Sequence, residues 1–226
     1  MRTKLLNSDF DAVIFDLDGT LVDSMWMWTD IDIEYLSRFG LKFEKKIQLD
    51  IAGMSIKETA AYFRDVLGVP QTDEQMVEAW ISMSIEKYKH EVALKPHAAE
   101  FLEILKKNGV RTAIASSNAI EMIEACLEAN SIKDKFDSVV TSNEVKRGKP
   151  YPDVYLYAAE KIGVPPERCL VFEDIPAGIM AAKEAGMKAV AVYDKYSEGS
   201  DREKHELADY YISDFGEFLN AEGFYA

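Results

Sequence analysis

Short apolar runs and amphipathic stretches alternate along most of the chain. The apolar run at 12–15 predicts a strand that is buried on both faces, as in a parallel sheet. Further strand patterns lie at 111–115, 138–141, 169–172, 189–192 and 210–212. Helix patterns separate them at 98–107, 120–130, 153–162 and 176–185. This alternation predicts an α/β fold with a doubly wound, mostly parallel, Rossmann-like sheet.

A helical segment interrupts this alternation directly after the first strand. The predicted helices of the segment span 23–38, 55–67 and 73–91. Gly40 and Gly68 are expected to end the first two helices, and Thr72 is expected to cap the third. The segment is far longer than an ordinary loop. We therefore expect two domains, an α/β core domain of residues 1–22 and 92–226 and an all-helical domain of residues 23–91 inserted into it.

Composition and charge narrow the class of protein. The chain has 226 residues, of which 48% are hydrophobic, which is enough for a sizeable core. Its 40 acidic residues exceed its 26 basic residues and give a net charge of −14, which argues against binding to nucleic acid. No apolar run approaches the roughly 18 to 20 residues of a membrane span, and the N-terminal residues lack the pattern of an export signal. We expect no membrane association.

The two cysteines predict a reducing compartment. Cys126 and Cys169 fall in a predicted helix and a predicted strand, and they form no CxxC pair. Buried, reduced thiols of a cytoplasmic protein are therefore expected, rather than a disulfide or a zinc site. The sequence leaves the oligomeric state open between a monomer and a homodimer.

Carboxylates follow two of the predicted strands at the point where each strand ends. Asp16 and Asp18 follow the first strand, and Gly19 can release the chain into a turn. Glu173 and Asp174 follow the strand at 169–172. The carboxyl ends of parallel strands share one edge of a sheet, so these side chains are expected to converge. Hard oxygen ligands without histidine or thiol favour Mg²⁺ over zinc.

Two other predicted strands are followed by residues that suit a phosphate group. Ser116, Ser117 and Asn118 follow the strand at 111–115, and Lys149 follows the strand at 138–141. The Ser116 hydroxyl, the free N–H groups near the next two residues and the Lys149 ammonium are natural phosphate partners. Together with Mg²⁺ they predict phosphoryl transfer, in which positioning and charge neutralisation do most of the catalysis. A carboxylate can itself be the nucleophile.

Each of these features also has a purely structural interpretation. An Asp-x-Asp-Gly sequence after a strand is often only a turn. Residues 116–118 could cap the following helix, and Lys149 could be a solvated loop cation. Asp174 could cap the helix that begins at Pro176. The occurrence of all these features, in order and at strand ends, favours the chemical interpretation.

These motifs resemble the haloacid dehalogenase superfamily, in the subgroup with a helical cap that includes β-phosphoglucomutase and many small phosphatases. The resemblance covers nearly the whole chain. Its four motifs correspond in turn to Asp16-Leu-Asp18-Gly-Thr20, to Ser116, to Lys149 and to Glu173-Asp174.

The resemblance implies a role for each carboxylate. It implies that Asp16 attacks phosphorus, and that Asp18 acts first as a general acid and then as a base toward the hydrolytic water. It also implies that Mg²⁺ binds the Asp16 carboxylate, the Asp18 main-chain carbonyl and the Asp174 carboxylate. Glu173 is expected close to the ion.

The resemblance further implies how substrate is held. Ser116 and Lys149 would bind the transferring phosphoryl group, and the inserted helices would form a cap that closes over the site and excludes water. Trp28, near the expected seam between cap and core, and Asn118 are expected to contact substrate. Core packing is the alternative for Trp28.

Two positions favour a phosphatase over a mutase. β-Phosphoglucomutases have a histidine where this chain has Trp28 and an arginine where it has Ile56; Lys57 could substitute only after a shift of one residue. The leading expectation is an Mg²⁺-dependent phosphohydrolase acting on a small phosphorylated metabolite, with a β-phosphoglucomutase-like sugar-phosphate mutase as the alternative enzyme. A non-catalytic protein that binds a phosphorylated metabolite is a third hypothesis, against which the second aspartate, Asp18, argues.

Overall fold

The structure is a computed structural model that describes residues 10–51, 54 and 56–220. Contacts between Cα atoms divide the chain into two compact units, one formed by Met1–Asp23 with Val92–Ala226 and the other by Ser24–Glu91. Among the described residues, none of the helices has both the length and the hydropathy that crossing a membrane requires. Cys126 and Cys169 are free and buried, as predicted.

A six-stranded parallel sheet organises the described part of the first unit. The strands among the described residues are β1 (Ala12–Phe15), β2 (Val22–Asp23), β3 (Ala93–Leu94), β4 (Arg111–Ser116), β5 (Ser138–Thr141), β6 (Cys169–Glu173), β7 (Lys188–Val192) and β8 (Tyr210–Ile212). The sheet has the order β5-β4-β1-β6-β7-β8, and every adjacent pair is parallel. The separate strands β2 and β3 form an antiparallel ribbon. The predicted fold class is confirmed, and β1 lies at the centre between β4 and β6.

Helices cover both faces of this sheet, which explains why the first strand is apolar on both sides. The α-helices in the described part of the chain are α1 (Met25–Ser37), α2 (Lys45–Ile51), α3 (Ile56–Asp65), α4 (Asp73–His90), α5 (Ala98–Lys107), α6 (Ile120–Ala129), α7 (Asp153–Ile162), α8 (Pro176–Glu184), α9 (Asp201–Leu207) and α10 (Phe215–Asn220). On one face, Ala12 and Ile14 of β1 join a buried cluster with residues of α7 and α8. On the other, the Phe15 ring packs 6.1 Å from the rings of Phe101 in α5 and Phe215 in α10.

The second unit is helical in its described residues, and α4 packs against α1 and α3. Thr72 begins α4 with the predicted cap. Its hydroxyl accepts from the N–H of Gln75 (3.3 Å), and the Gln75 side chain accepts from the N–H of Thr72 (3.0 Å). The Trp80 ring of α4 lies 5.5 Å from Tyr35 of α1 and 5.2 Å from Phe63 of α3, so aromatic side chains form the centre of this unit.

The sequence patterns missed the shortest elements. The helices α2, α9 and α10 have seven, seven and six residues, too few for a helical period to stand out. The strands β2 and β3 have two residues each. The helix predicted over 23–38 begins later, at Met25. Ser55, the predicted first residue of another helix, lies outside the described residues.

Candidate active site

The first strand ends in a tight turn at the carboxyl edge of the sheet. Asp16 directly follows β1, and its N–H donates to the carbonyl of Phe172 in β6 (3.0 Å). The next carbonyl, that of Leu17, accepts from the N–H of Leu21 (2.9 Å). Gly19 has φ +76°, a left-handed conformation that other residues adopt only at a cost. The turn therefore fixes Asp16 at the strand end while the chain continues into β2.

Lys149 supplies a buried cation at this edge. Its Nζ donates to Oδ1 of Asp16 (2.5 Å) and to Oε1 of Glu173 (2.6 Å), and it lies 5.2 Å from the centre of the Tyr155 ring. Burial by itself would lower the pKa of Lys149, but the carboxylates of Asp16 and Glu173 raise it well above its usual range. Only 6% of the Lys149 side chain is exposed, so the interpretation as a solvated loop cation is wrong.

Glu173 is completely buried, and protein groups bond both of its carboxylate oxygens. Oε1 accepts from the Lys149 ammonium and from the hydroxyl of Tyr155 (3.0 Å). Oε2 accepts from the main-chain N–H groups of Asp174 (2.8 Å) and Ile175 (3.1 Å). A carboxylate with four donors is held in one orientation. Glu173 therefore fixes the position of the lysine ammonium.

Three carboxylates converge beside the lysine. Asp16, Glu173 and Asp174 each offer an oxygen that lies within 4.8 Å of the other two. The hydroxyl of Thr20 donates to Oδ1 of Asp174 (3.1 Å). Burial raises the pKa of Asp16 to about 7. Burial, followed by the charge of Glu173, raises the pKa of Asp174 well above its ordinary value. The positive charge near these two aspartates is therefore too small to keep both of them ionised.

This donor set fits Mg²⁺, which prefers carboxylate oxygens and needs only one or two of them when water and phosphate complete its coordination. Three carboxylates face one ammonium, so a divalent cation would balance the charge. Within the described residues, no hydrogen bond occupies Oδ2 of Asp16 or Oδ2 of Asp174. One oxygen of each aspartate is therefore available to a cation, whereas Glu173 is fully used by the protein.

The end of β4 meets the second aspartate of the first motif. The side-chain amide of Asn118 donates to Oδ2 of Asp18. Asn118 is itself held by main-chain contacts, since its N–H donates to the Ser116 hydroxyl (3.1 Å) and its carbonyl accepts from the Thr141 hydroxyl (2.7 Å). Sequence reasoning assigned Asn118 to substrate recognition, a role that stays a prediction; in the structure its amide bonds Asp18.

The capping interpretations are wrong. The N-cap of α6 is Ala119 and that of α8 is Ile175, and neither helix has a side-chain capping hydrogen bond. The polar residues 116–118 and Asp174 therefore do not serve these helix ends. Instead, the Ser116 hydroxyl accepts from the N–H of Asn118, the Asn118 amide donates to Asp18, and the Asp174 carboxylate accepts from the Thr20 hydroxyl.

Two predicted substrate partners lie outside this network. Ser117 is exposed after the end of β4, and Trp28 is a partly exposed residue of α1 in the second unit. Their contacts with substrate stay predictions. Conversely, sequence reasoning did not single out Thr20 or Tyr155. Thr20 belongs to the first motif and could have been found there, whereas Tyr155 is one of 11 tyrosines and carries no motif of its own.

Comparison with known proteins decides the family. The family model described as "Haloacid dehalogenase-like hydrolase" matches residues 13–192, a range that contains the whole hydrogen-bonded network. The chain belongs to this family. The resemblance expected from the four motifs is therefore confirmed.

Other haloacid dehalogenase-like proteins match over nearly the full chain. Hexitol phosphatase B of Escherichia coli (strain K12) is 30% identical over 209 residues, which cover 91% of this chain and 93% of that protein. The crystal structure of CbbY from Rhodobacter sphaeroides in complex with phosphate has a TM-score of 0.81 and 26% identity, covering 95% and 99% of the two chains. A putative β-phosphoglucomutase from Thermotoga maritima has a TM-score of 0.80 and 26% identity, covering 93% and 97%.

Proposed function

We propose that the protein is an Mg²⁺-dependent phosphohydrolase that acts on a small phosphorylated metabolite through an aspartyl-phosphate on Asp16. The observation that carries this proposal is the Lys149 ammonium, which is buried between Asp16 and Glu173, two carboxylates that cluster with that of Asp174. An aspartate paired with a lysine and next to a cation site is equipped to attack an anionic phosphate, because the positive charges offset the repulsion.

The cation would be held by few protein groups. The Asp16 and Asp174 carboxylates would bind it with the Asp18 main-chain carbonyl, while Glu173 serves by orienting Lys149. When bound, Mg²⁺ supplies positive charge to the transferring phosphoryl group. It also favours the ionised form of Asp16, the form that a nucleophile requires, in a site where burial raises the pKa of that group to about 7.

Hydrolysis would then proceed in two steps on the two aspartates of the first motif. In the first, an oxygen of Asp16 bonds to phosphorus and the bond to the leaving oxygen breaks, while Asp18 gives that oxygen a proton. In the second, Asp18 takes a proton from a water molecule whose oxygen attacks phosphorus and frees the Asp16 carboxylate. The hydrogen bond from Asn118 keeps the Asp18 carboxyl in place for both transfers.

Residues at the ends of the neighbouring strands would bind the phosphate group. Lys149 carries a positive charge to the phosphoryl oxygens, and the hydroxyl of Ser116 and the N–H of Ser117 supply neutral donors. These groups stabilise the negative charge that grows in the transition state. They need not rearrange to do so, because hydrogen bonds already hold the lysine in position.

The substrate class is proposed from the family relatives and the helical unit. One relative is named a hexitol phosphatase, so a phosphorylated sugar or polyol is the leading candidate. We propose that Ser24–Glu91 acts as the cap and that Trp28 of this unit contributes to substrate recognition. The alternative is a sugar-phosphate mutase, which the likeness to a putative β-phosphoglucomutase supports and the residues Trp28 and Ile56 oppose.

Turnover of an aryl phosphate, measured with and without Mg²⁺, tests the proposal. We expect hydrolysis that requires the metal. Asp16→Asn should lower kcat by at least about a thousandfold, as loss of a nucleophile does, and Asp18→Asn by about 10²- to 10⁴-fold, the usual contribution of general acid–base catalysis. A substrate whose phosphoryl group is radioactive would label the protein at the intermediate. We expect label that survives an acid quench on the parent and none on Asp16→Asn. Unimpaired turnover in Asp16→Asn would overturn the mechanism.

A screen of sugar phosphates, polyol phosphates, phosphoglycolate and nucleotides would then identify the substrate. Conversion of a hexose 1-phosphate to its 6-phosphate, stimulated by the bisphosphate and without release of phosphate, would instead establish the mutase. Tight binding of one of these compounds without any turnover would favour the non-catalytic hypothesis.

A further inference from the structure

The turn that carries Asp174 is held from behind by a segment outside the four family motifs. Ser197 lies in the short 3₁₀ helix Lys195–Ser200, which follows β7. Its hydroxyl donates to the main-chain carbonyl of Asp174 (2.8 Å). The side chain of the same aspartate is bonded on its other side by the Thr20 hydroxyl. Contacts at both the carboxylate and the carbonyl therefore restrain this residue.

A lysine determines which way the Ser197 hydroxyl points. The Nζ of Lys204, in α9, lies 3.0 Å from the Ser197 oxygen. An ammonium group has donors only, so the hydroxyl must accept from it and keeps its single proton for a carbonyl. The Asp174 carbonyl at 2.8 Å is nearer than the Asp194 carbonyl at 3.3 Å. Lys204 thus directs the serine proton toward Asp174.

Lys204 is buried to a degree that is rare for lysine. None of its side chain is exposed, and its charge is balanced by the Asp201 carboxylate at 2.7 Å and by the Tyr211 ring, 5.8 Å away. Removing an ammonium from water is costly unless its hydrogen bonds are satisfied inside the protein. A lysine held in this way keeps one position, so the serine beside it is held as well.

The segment is also anchored where it begins. The carboxylate of Asp194 accepts from the N–H of Tyr196 (2.8 Å) and from the ammonium of Lys95 (2.6 Å). Asp194 is almost fully buried, and only 12% of the Lys95 side chain is exposed. The 3₁₀ helix is therefore anchored by Asp194 at its first turn, and Lys204 of α9 bonds it at Ser197.

We propose that Ser197 and Lys204 are positioning residues that hold the Asp174 turn so that its carboxylate stays aimed at the divalent cation. The inference rests on the proposed function, since it assigns Asp174 to that cation. Partners that orient a metal ligand raise affinity because the protein does not have to order the ligand when the ion binds. Here the restraint from Ser197 acts through the main chain and leaves Oδ2 of Asp174, the carboxylate oxygen that Thr20 does not bond, available to the ion.

Binding of Mn²⁺, a paramagnetic substitute for Mg²⁺, tests this without substrate or turnover. Electron paramagnetic resonance gives the free Mn²⁺ concentration and hence the Kd of the parent, Ser197→Ala, Ser197→Thr and Lys204→Met. We expect Ser197→Ala to raise the Kd about 10-fold, the lower end of effects seen for partners of metal ligands. Ser197→Thr keeps the hydroxyl and should stay close to the parent. Lys204→Met should also raise the Kd. Because the lysine acts through the serine, the Kd of the double variant Ser197→Ala/Lys204→Met should be no higher than that of Ser197→Ala alone.

The matched control is Ser200→Ala, in the same 3₁₀ helix. Within the described residues the Ser200 side chain makes no capping hydrogen bond, so its loss should leave the Kd unchanged. Thermal unfolding in metal-free buffer separates the alternatives, because a merely structural role would lower the Tm of Ser197→Ala and leave its Kd at the parent value. That outcome overturns this inference alone. Failure of the parent to bind Mn²⁺ would overturn the proposed function, and this inference with it.

Discussion

The side-chain amide of Asn118 donates a hydrogen bond to Oδ2 of Asp18, a residue 100 positions earlier in the chain. The contact joins the loop after β4 to the turn after β1, and the Thr141 hydroxyl holds Asn118 from the other side. The two loops therefore share the group proposed to move protons. An asparagine in this position orients a carboxyl group without competing for its proton.

Replacing this asparagine is expected to impair catalysis more than binding. Asn118→Ala should lower kcat about tenfold with little change in KM, as part of the roughly 10²- to 10⁴-fold contribution of general acid–base catalysis. The loss in the phosphorylation step should be larger for an alkyl phosphate than for a nitrophenyl phosphate, because nitrophenolate leaves without protonation. Steady-state and pre-steady-state rates on both esters measure it. Asn143→Ala, at an exposed asparagine nearby, is the control; equal losses on both esters would contradict the proposed role.

Gly178 in α8 is predicted to tolerate no side chain. A Cβ at this position would lie 1.7 Å from Oε1 of Glu173, and four hydrogen bonds keep that carboxylate from moving away. Gly178→Ala should therefore lower the free energy of unfolding by about 1 to 3 kcal/mol, the usual cost of overpacking. It should also reduce kcat, because displacing Glu173 displaces Lys149.

Denaturant titration and aryl phosphate turnover check this prediction. Gly199→Ala is the matched control, since a Cβ there meets nothing within 4 Å. A stable and fully active Gly178→Ala variant would show that Glu173 can shift without affecting the lysine.

Tyr155 is predicted to matter through its hydroxyl rather than its ring. Tyr155→Phe keeps the ring beneath the Lys149 ammonium and removes one of the two hydrogen bonds to Oε1 of Glu173. Loss of a hydrogen bond to a buried charge should cost about 2 kcal/mol of unfolding free energy. Tyr157→Phe, in the same helix, should change it by less than about 0.5 kcal/mol. Chemical denaturation of both variants measures the difference, and equal stabilities would contradict the assignment.

Metal affinity is predicted to depend on pH near neutrality. Burial raises the pKa of Asp16 from 3.8 to about 7 in the metal-free protein, and a carboxyl must lose its proton to bind a cation. The apparent Kd for Mg²⁺ should therefore rise by about tenfold per pH unit as pH falls below 7. Calorimetric titration at pH 6, 7 and 8 measures it, and an unchanged affinity between pH 6 and 8 would contradict the raised pKa.

The raised pKa of Asp16 also determines whether the free energy of unfolding rises or falls with pH. The folded protein binds a proton on Asp16 at pH values where the unfolded chain does not, so without metal the free energy of unfolding should fall as pH rises from about 4 toward 7. Added Mg²⁺ should raise Tm more at pH 8 than at pH 6, because at pH 8 it binds without displacing a proton. Thermal scans with and without Mg²⁺ at both pH values check this sign.

Sequence reasoning found the parts of the site that lie directly at strand ends. An apolar run followed by polar residues locates such a position, and parallel pairing then brings Asp16 and Glu173 to the same edge. The sequence could not indicate Lys204, because it lies in the charged run Asp201–Leu207, which is typical of an exposed helix, and yet it is completely buried. Tyr155 and Ser197 were missed for a related reason: their roles depend on contacts across the fold, and no local pattern encodes such contacts.

The central position of β1 has a consequence for synthesis of the protein. Its neighbours, β4 and β6, begin only at Arg111 and Cys169, so the first strand leaves the ribosome long before either edge can be paired. An unpaired apolar strand is a template for association with other chains. A nascent chain that stops before β6 carries Asp16, the proposed nucleophile, without Glu173, and it exposes an unpaired strand edge that can associate with other chains.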